Sequence, residues 1–404
     1  MKKILKNIGR LFELKTADLL GIIDRFHQHM AAGLRREKSS LKMLPAYVGL
    51  PSGTEKGRYL VCDMGGTNVR VMSVELSGNR RARVESAMRC PIPLPLRRGE
   101  KEALFSFLAR VIGDFTSAWP RIPTPFAFTF SYPMEQKSIN SGILIRWTKG
   151  FNVRGVEGKE VGMLISQSLK GARLSHIHLR ALINDTVATL LYASYQNPAY
   201  DMAVILGTGT NACYPERKVN FQSTGRETII NLEWGNFSEL PANDYDKLLD
   251  VNTPNPGEQR MEKMVSGMYL GELVRLVLLE TQGSKGHPKL NKPYGLMARQ
   301  LVRLEAEEIK AIAHPIVVRS ARILAAAITA VITWMDSDLK NIHHVAVDGS
   351  LFTGYPGYRK IVEATVEELL PRQGDKLIIS PVKSASGIGA AVACAMSDFA
   401  AKSF

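Results

Sequence analysis

Two periods of apolar residues alternate along the chain and divide it into helices and strands. Ile4, Ile8 and Leu11 recur at helical spacing, which predicts helix over most of residues 1–40. Two β-rich runs within residues 58–76 flank a Gly-Gly-Thr-Asn turn and predict a hairpin. The same criteria predict helices at 104–115, 158–169, 294–313, 315–335 and 358–370, strands at 125–129, 344–348 and 376–380, and an Ala-rich terminal helix.

A further long helix opens within residues 255–263 and carries an apolar stripe. The stripe is formed by Met261, Met264, Val265, Met268, Leu273 and Val277. Methionines at helical spacing are typical of a packed core. We therefore predict that this stripe faces the core and does not line a cofactor site.

Three apolar strands end in short runs of small polar or acidic residues. One ends at Asn184 and Asp185, one at residues 207–211 and one at residues 348–350. Strands that alternate with helices and end in this way are typical of α/β proteins that bind ligands at strand ends. The predicted fold class is therefore α/β.

Asp185 and the Gly-Thr-Gly-Thr run at residues 207–210 suggest a reaction centre. A carboxylate at a strand end can accept a proton, and small residues let backbone N–H groups approach phosphate. We therefore hypothesise a general base and a phosphate-binding loop. The residues alone leave alternatives open, since Asp185 could cap the following helix and the loop could be an ordinary turn.

Four other segments carry polar groups that suit a phosphate or a sugar, and each has an ordinary alternative. The turn at residues 65–68 could present N–H groups to phosphate, with Asp63 near a phosphate-bound metal, or could be a surface hairpin. Residues 147–151 and Glu233 offer groups for sugar hydroxyls, but could equally be a loop with a solvated Lys and a surface acid beside a core Trp. Glu262 lies in the first turn of a helix, where the macrodipole favours acids.

Composition is that of a packed globular protein with an excess of positive charge. The 404 residues, 45% hydrophobic and 22% charged, suggest two or three domains or one bilobed enzyme. The net charge of +14 favours anionic partners, but Lys and Arg are scattered and indicate a solvated surface. Three of the four cysteines lie in apolar segments and are predicted to be buried thiols in a reducing compartment. His176 and His178 are interpreted as structural because no third ligand type lies nearby.

Several functional classes lack their sequence signals. The basic amphipathic N-terminus lacks the features of a secretory signal, and the longest apolar run is too short to span a bilayer, which predicts a cytoplasmic protein without a transmembrane segment. Neither a P-loop nor a Gly-x-Gly-x-x-Gly after the first strand is present. No nucleic-acid-binding motif supports a specific nucleic-acid partner.

A series of long motifs resembles those of the hexokinase/glucokinase family of sugar kinases, in its eukaryotic-type, single-unit form. The resemblance covers most of the chain, from about residue 60 to 395, without an internal repeat. The motifs lie at residues 63–70, 128–133, 147–151, 184–187, 207–214, 231–235, 255–257, 262–272 and 347–350.

The resemblance implies a two-lobed actin-like ATPase (ribonuclease H-like) fold. The implied small lobe comprises residues 60–199, with the C-terminal helix at 390–404 returning to it, and the large lobe comprises 1–59 and 200–389. The implied reaction is ATP-dependent phosphorylation of a hexose, in the first place glucose, at O6. Asp185 would be the general base and Lys149 a catalytic cation, and Mg²⁺ would arrive with ATP.

The resemblance also assigns the ligand-binding residues, all by position in the motifs. The sugar would bind through Ser131, Thr148, Lys149, Asn184, Asp185, Asn211, Glu233, Gln259 and Glu262. The nucleotide would bind through Asp63, Gly65, Gly66, Thr67, Asn68, Arg70, Gly207, Thr208, Gly209, Thr210, Gly349 and Ser350. No side-chain set is expected to hold the metal alone. The oligomeric state is not predicted.

The chain departs from the family pattern mainly where the nucleotide is expected. Ala188 and Asn236 replace a Gly and an Ala of the family. The late glycine-rich motif reads Ala-Ser-Gly-Ile-Gly at residues 385–389, and the helix expected near adenine carries Arg319. A catalytically impaired sugar sensor of the same fold is the alternative function that these changes leave open.

Overall fold

The computed structural model describes residues 2–217, 227–282, 288–296, 307–383 and 385–401, in which helices and strands alternate. The strands are β1 Leu44–Pro45, β2 Lys56–Met64, β3 Asn68–Gly78, β4 Arg81–Pro91, β5 Thr124–Phe130, β6 Met134–Ser138, β7 Ser141–Leu144, β8 Ile177–Ile183, β9 Tyr200–Leu206, β10 Thr210–Glu216, β11 Thr228–Asn231, β12 His343–Asp348 and β13 Leu377–Val382. The helices are α1 Lys2–Phe12, α2 Thr16–Leu34, α3 Lys101–Phe115, α4 Val161–Gly171, α5 Asp185–Gln196, α6 Asp244–Val251, α7 Arg260–Val265, α8 Gly267–Gln282, α9 Glu307–Met335, α10 Ser350–Gly354, α11 Tyr358–Leu369 and α12 Ala385–Ala401.

The strands form two larger sheets and one small hairpin. The five-stranded sheet has the order β4-β3-β2-β5-β8, with β2 antiparallel to β3 and parallel to β5. The six-stranded sheet has the order β1-β11-β10-β9-β12-β13, and β6 pairs with β7. Mixed sheets with helices between their strands are typical of α/β proteins.

The chain divides into two compact units. The first unit comprises Met1–Met43, Val204–Asn211 and Leu232–Pro381, and the second comprises Leu44–Ala203, Ala212–Asn231 and Val382–Phe404. The second unit contains 25 of the 52 Lys and Arg residues but only 15 of the 38 Asp and Glu residues. The excess positive charge of the chain is therefore concentrated in the second unit.

The predicted hairpin at residues 58–76 is confirmed in the second unit, where β2 and β3 pair in continuous register. The structure adds β4 at the edge of the sheet, which the sequence did not predict because its apolar residues do not alternate. Aromatic residues of β5 and apolar residues of α3 and α4 form the core of this unit, including Phe126, Phe128, Leu108 and Ile165. Three of the four cysteines are buried, as predicted.

Two helix predictions in the first unit are wrong. The predicted break between residues 313 and 315 does not occur, since α9 continues through Pro315. Ile312 and Ile316, on either side of the proline, are buried, so tertiary packing outweighs the lost backbone hydrogen bond. Tyr294 lies in a turn with a positive φ of 55°, so no helix starts there, and residues 297–306 of that predicted helix lie outside the described residues.

Helix α9 is also the only described segment long and apolar enough to cross a membrane. Its segment Ile309–Met335 has a mean hydropathy of 1.8, but 83% of the apolar window is buried within the protein. It packs against α2, α8 and α11 in the first unit. Its apolar character is explained by this core position.

The long helix predicted to open within residues 255–263 is interrupted. Ser266 has an extended backbone, with ψ of 157°, and separates α7 from α8. Most of the predicted stripe is buried, but Met268 is 36% exposed because the break turns it away from the core. The prediction of one continuous helix with a fully buried stripe is therefore wrong at this point.

Arg319, which departs from the family pattern, makes a buried ion pair in the first unit. Its Nη1 and Nη2 atoms donate to the two carboxylate oxygens of Asp246 at 2.6 and 2.7 Å. The guanidinium also lies 4.6 Å from the ring centroid of Phe12. Arg319 is 1% exposed, so this departure has a structural role in joining α9 to α6 and α1.

A close backbone approach joins α12 to α5 in the second unit. A Cβ placed on Gly389 would lie 1.7 Å from the backbone oxygen of Ala188. The contact requires a glycine at residue 389, but it tolerates the Ala188 that replaces the family's glycine. Helix α12 thereby packs against the helix that begins at Asp185.

Gly389→Ala is expected to destabilise the protein by about 1–3 kcal/mol or more, because the new methyl group overlaps backbone that cannot rotate away. Gly171→Ala is the control, since nothing lies within 4 Å of its added Cβ. Thermal and urea unfolding of the two variants measures the difference. Equal unfolding midpoints would contradict the close approach.

Arg319→Met is expected to cost about 3–5 kcal/mol of stability, because it leaves the Asp246 carboxylate buried without its partner. Arg35→Met removes an exposed pair with Glu37 and should cost less than about 1 kcal/mol. The double change Arg319→Met with Asp246→Leu should recover much of the loss. Urea denaturation tests this, and an Arg319→Met midpoint equal to that of Arg35→Met would refute the assignment.

Candidate active site

Asp185 is the first residue of α5 and follows β8 in the second unit. Asn184 is the N-cap residue, and its side-chain oxygen accepts a hydrogen bond from the Thr186 N–H at 2.8 Å. Asp185 Oδ1 accepts from the same N–H at 2.9 Å, while Oδ2 lies 3.5 Å from Lys149 Nζ. Asn184 thus provides the cap, and the Asp185 carboxylate keeps one oxygen directed at a cation.

The Lys149 ammonium is held in place by a turn and by the end of β5. Its Nζ donates to the backbone oxygen of Ser131 at 2.8 Å and lies 5.7 Å from the ring centroid of Tyr132. The Phe151 N–H donates to the Thr148 backbone oxygen at 3.1 Å and closes the turn. The structure therefore brings together five predicted sugar-site residues of the second unit, namely Ser131, Thr148, Lys149, Asn184 and Asp185.

The turn between β2 and β3 lies against this group. A Cβ on Gly66 would lie 3.4 Å from Lys149 Cβ, and the Gly65 N–H donates to the Asn68 oxygen at 3.0 Å. Among the described residues, the N–H groups of Gly66 and Thr67 have no hydrogen-bond partner. Two adjacent free N–H groups in a turn are suited to bind phosphate oxygens.

Asp63 precedes this turn and makes polar contacts that the sequence did not reveal. Its Oδ2 accepts from the Ser386 hydroxyl at 2.8 Å and lies 3.3 Å from Arg70 Nη2. Burial raises the pKa of the Asp63 carboxyl, although the Ser386 hydrogen bond and the Arg70 charge act in the opposite direction. Ser386 belongs to the late glycine-rich motif, which was the one signal available for it.

The first unit carries the other predicted sugar-binding residues. Asn211 Nδ2 donates to Glu233 Oε1 at 3.3 Å. Glu262 Oε2 accepts from the Thr210 N–H at 3.0 Å. A Cβ on Gly235 would lie 2.5 Å from Gln259 Oε1 and 3.3 Å from Glu262 Cβ, so these side chains crowd the turn after Glu233. This polar cluster offers carboxylates and amides to a sugar.

The predicted nucleotide residues of the first unit lie at two strand ends. The loop between β9 and β10 is closed by a hydrogen bond from the Gly207 N–H to the Gly209 oxygen at 2.9 Å. A Cβ on Gly349 would lie 1.8 Å from the Leu206 oxygen, so only glycine permits the ends of β12 and β9 to approach. Ser350 follows directly as the first residue of α10.

Three of the predicted sugar-binding residues have left-handed backbone. Lys149, Glu233 and Gln259 have φ values of 55°, 52° and 52°. This region is unfavourable for residues other than glycine and persists only where the surroundings enforce it. Nine other described residues that are not glycine also have positive φ, so this backbone conformation does not by itself identify a functional site.

The predicted site residues therefore form two clusters, one in each unit. Within the described part of the chain, no three His, Cys, Asp or Glu side chains are grouped so that they could hold a metal ion. The sequence interpretation did not identify Tyr132, whose buried hydroxyl has no hydrogen-bond partner among the described residues. Tyr132 lies within a recognised motif, but nothing in the sequence distinguishes it from a core aromatic.

Comparison with known families and proteins gives a consistent result. One family model described as Hexokinase matches residues 4–195, and a second with the same description matches residues 201–309 and 302–396. Hexokinase-4, chloroplastic, of Oryza sativa subsp. japonica is 36% identical over 96% of this chain and 88% of its own length. Hexokinase-1 of Schizosaccharomyces pombe is 32% identical over 97% of this chain and 90% of its own length.

Solved structures give the same picture. The hexokinase from Schistosoma mansoni complexed with glucose matches with a TM-score of 0.88 and 31% identity, covering 98% of this chain and 99% of that one. A ROK family glucokinase from Streptomyces griseus, with a TM-score of 0.54 and 13% identity, shares the fold only. The predicted two-lobed actin-like ATPase fold is confirmed by these neighbours.

Asp63→Asn is expected to raise the thermal unfolding midpoint near pH 7. Because burial raises the folded pKa of Asp63 above its ordinary 3.8, the ionised carboxylate costs stability as pH rises above that value. The gain of the variant should therefore shrink as pH falls toward about 4. Asp114→Asn, which changes an exposed aspartate of the same unit, should show no gain, and a pH-independent difference would refute the burial argument.

Proposed function

Because this chain belongs to the hexokinase family, we propose how its two clusters carry out the family's reaction. The enzyme phosphorylates a hexose with ATP. The observation that carries the proposed mechanism is the Asp185 carboxylate 3.5 Å from Lys149, with the turn at residues 65–68 packed against Lys149. A base, a cation and phosphate-binding N–H groups are thus assembled in one unit.

Asp185 acts as the general base for the hexose. It accepts the proton of the 6-hydroxyl as that oxygen attacks the γ-phosphorus of ATP, a contribution of about 10²–10⁴ in rate. Lys149, 3.5 Å away, stabilises charge that develops on the transferred phosphoryl group. Arg70 and the N–H groups of Gly66 and Thr67 bind phosphate oxygens from the side of the β2–β3 turn.

The first unit supplies the residues that select the sugar. It also supplies another phosphate-binding loop, at residues 207–210. Asn211, Glu233, Gln259 and Glu262 offer hydrogen bonds to the remaining hydroxyls of the sugar, so an analogue that lacks one leaves a polar group unpaired and is rejected by up to about 10⁴-fold. The N–H groups of the loop at residues 207–210 bind the phosphates.

Mg²⁺ is proposed to enter with ATP. Asp63 and Asp185 provide carboxylate oxygens, which Mg²⁺ prefers as direct ligands or as partners of its bound waters. When bound, the ion neutralises charge on the β- and γ-phosphates. Asp63, held by Ser386 and Arg70, keeps its carboxylate oriented toward that role.

Glucose is the proposed substrate, since the Schistosoma mansoni relative was solved with glucose. A coupled assay of ADP formation with glucose, mannose and fructose tests this. We expect the highest kcat/KM with glucose and ATP, and GTP and pyrophosphate serve as donor controls. No observation favours the alternative of a catalytically impaired sugar sensor. Glucose binding without ADP formation would support that alternative instead.

Asp185→Asn is expected to lower kcat by about 10²–10⁴, while glucose Kd stays within a few-fold of the parent value. The amide preserves the shape of the side chain but cannot accept the proton. Asp114→Asn is the matched control and should keep the parent kcat. Steady-state kinetics and glucose-induced changes in tryptophan fluorescence separate the two effects, and a parent-like kcat for Asp185→Asn would refute the base assignment.

A further inference from the structure

A basic cleft lies on the second unit, and none of its lining residues belongs to the clusters described above. It has a volume of about 440 Å³ and lies between the C-terminal part of α4 and strand β8. Its polar lining residues are Ser166, Lys170, Ser175, His178 and Arg180. The lining contains two cations, an imidazole and two hydroxyls.

Arg180 reaches this cleft from a β-bulge in strand β8. Strand β8 lies at the edge of the five-stranded sheet, and β5 pairs with Leu179 and then with Ala181, so Arg180 is the extra residue of a β-bulge. Bulges at sheet edges change the direction of a side chain without ending the strand. Here the bulge keeps His178 and Arg180 exposed, although the strand is fully buried from Ala181 onward.

The chemistry of the lining matches one kind of ligand. A guanidinium binds a phosphate group with two parallel hydrogen bonds, and an ammonium adds a point charge. The volume lies in the range of sites for small molecules, and the surrounding unit has the excess positive charge that attracts anions. We propose that this cleft binds a phosphate group, either as inorganic phosphate or as the phosphate monoester of a small molecule.

Calorimetric titration of the full-length enzyme with inorganic phosphate and with glycerol 3-phosphate tests the site. The double variant Lys170→Gln/Arg180→Gln should weaken binding about tenfold or more, since it removes the charged hydrogen-bond donors. Arg121→Gln/Lys159→Gln removes the same charge from exposed positions of the same unit outside the cleft and should change Kd less than about twofold. Kinase activity should match the parent in both variants, which confirms that they fold.

The two probes separate the sources of the phosphate. Binding of inorganic phosphate alone identifies the free ion, whereas equal or tighter binding of glycerol 3-phosphate identifies an organic phosphate. Phosphate that binds at the nucleotide loops should bind equally well to the parent and to the cleft variant. The difference between their titrations therefore reports binding in the cleft alone. Equal weakening in both double variants, or no weakening in the cleft variant, overturns the proposal.

A second inference concerns Ser266 and rests on the proposed function. The break between α7 and α8 directs three donors at the loop of residues 207–210. Ser266 Oγ donates to the Thr208 oxygen at 2.8 Å, the Gly267 N–H to the Gly207 oxygen at 2.8 Å, and the Met268 N–H to the Thr208 oxygen at 3.3 Å. The carbonyl side of the loop is therefore fixed by the helix junction.

Fixing the carbonyls determines where the N–H groups point. The Gly207 and Thr210 N–H groups are already bonded, to the Gly209 oxygen and to Glu262. Among the described residues, those of Thr208 and Gly209 have no partner and remain for phosphate. We infer that Ser266, which is fully buried, is a positioning residue for nucleotide binding, and that this role explains the interruption of the helix.

Ser266→Ala should raise KM for ATP about threefold to tenfold, the loss expected for one buried hydrogen bond, with glucose Kd unchanged. Ser320→Ala is the control, since its equally buried hydroxyl bonds Val265 and Tyr358 in the same unit and should lower stability without raising KM for ATP. Ser266→Thr keeps the hydroxyl and should restore part of the affinity.

Parent turnover of glucose is measured first, so that failure of the proposed function is recognised separately. If the parent phosphorylates glucose and Ser266→Ala keeps its KM for ATP, the positioning role is wrong while the function stands. An equal rise in KM for Ser320→Ala would show a general effect of lost stability and would also overturn the inference.

Discussion

Left-handed backbone at three polar residues is the constraint on which the proposed chemistry depends. Lys149, Glu233 and Gln259 have positive φ values, which residues other than glycine rarely adopt. Each of them also makes a close side-chain contact: the Lys149 ammonium with the Ser131 oxygen, the Glu233 carboxylate with Asn211, and the Gln259 amide with Gly235. These backbone conformations lower the stability of the fold, and the favourable packing of the core offsets that loss.

Asp63 is a second residue of the proposed site that lowers the stability of the fold. A buried carboxylate whose pKa is raised by burial lowers the stability of the fold at neutral pH. Ser386 and Arg70 both contact its Oδ2 atom, and burial still raises its pKa despite these contacts. This position agrees with the role proposed for Asp63 toward the metal-bound phosphates of a nucleotide.

The departures from the family pattern have structural explanations in part. Arg319 is used in a buried pair with Asp246, and Ala188 is tolerated because Gly389 provides the space between α5 and α12. Asn236 donates its side-chain amide to the Glu233 backbone oxygen at 3.3 Å, which adds a tie to the left-handed residue. Arg319 and Ala188 act through packing, and Asn236 bonds the backbone of Glu233. None of the three replaces a side chain that was predicted to bind the sugar or the nucleotide. Nothing in the structure explains Ile388.

The sequence by itself determined the fold class, the β2–β3 hairpin and the identity of the family, because apolar periodicity and long motifs are local properties of the chain. It failed at Pro315 and Ser266, where contacts with distant residues override local preference. It also missed β4, an exposed edge strand that is held by its pairing with β3 and has no alternating apolar pattern. Only the tertiary structure decided that Asn184 rather than Asp185 caps α5, that Ser386 reaches Asp63, and that Arg180 and Lys170 share a cleft. Each of these depends on contacts between residues that local pattern does not connect, or on the direction in which a side chain leaves the backbone.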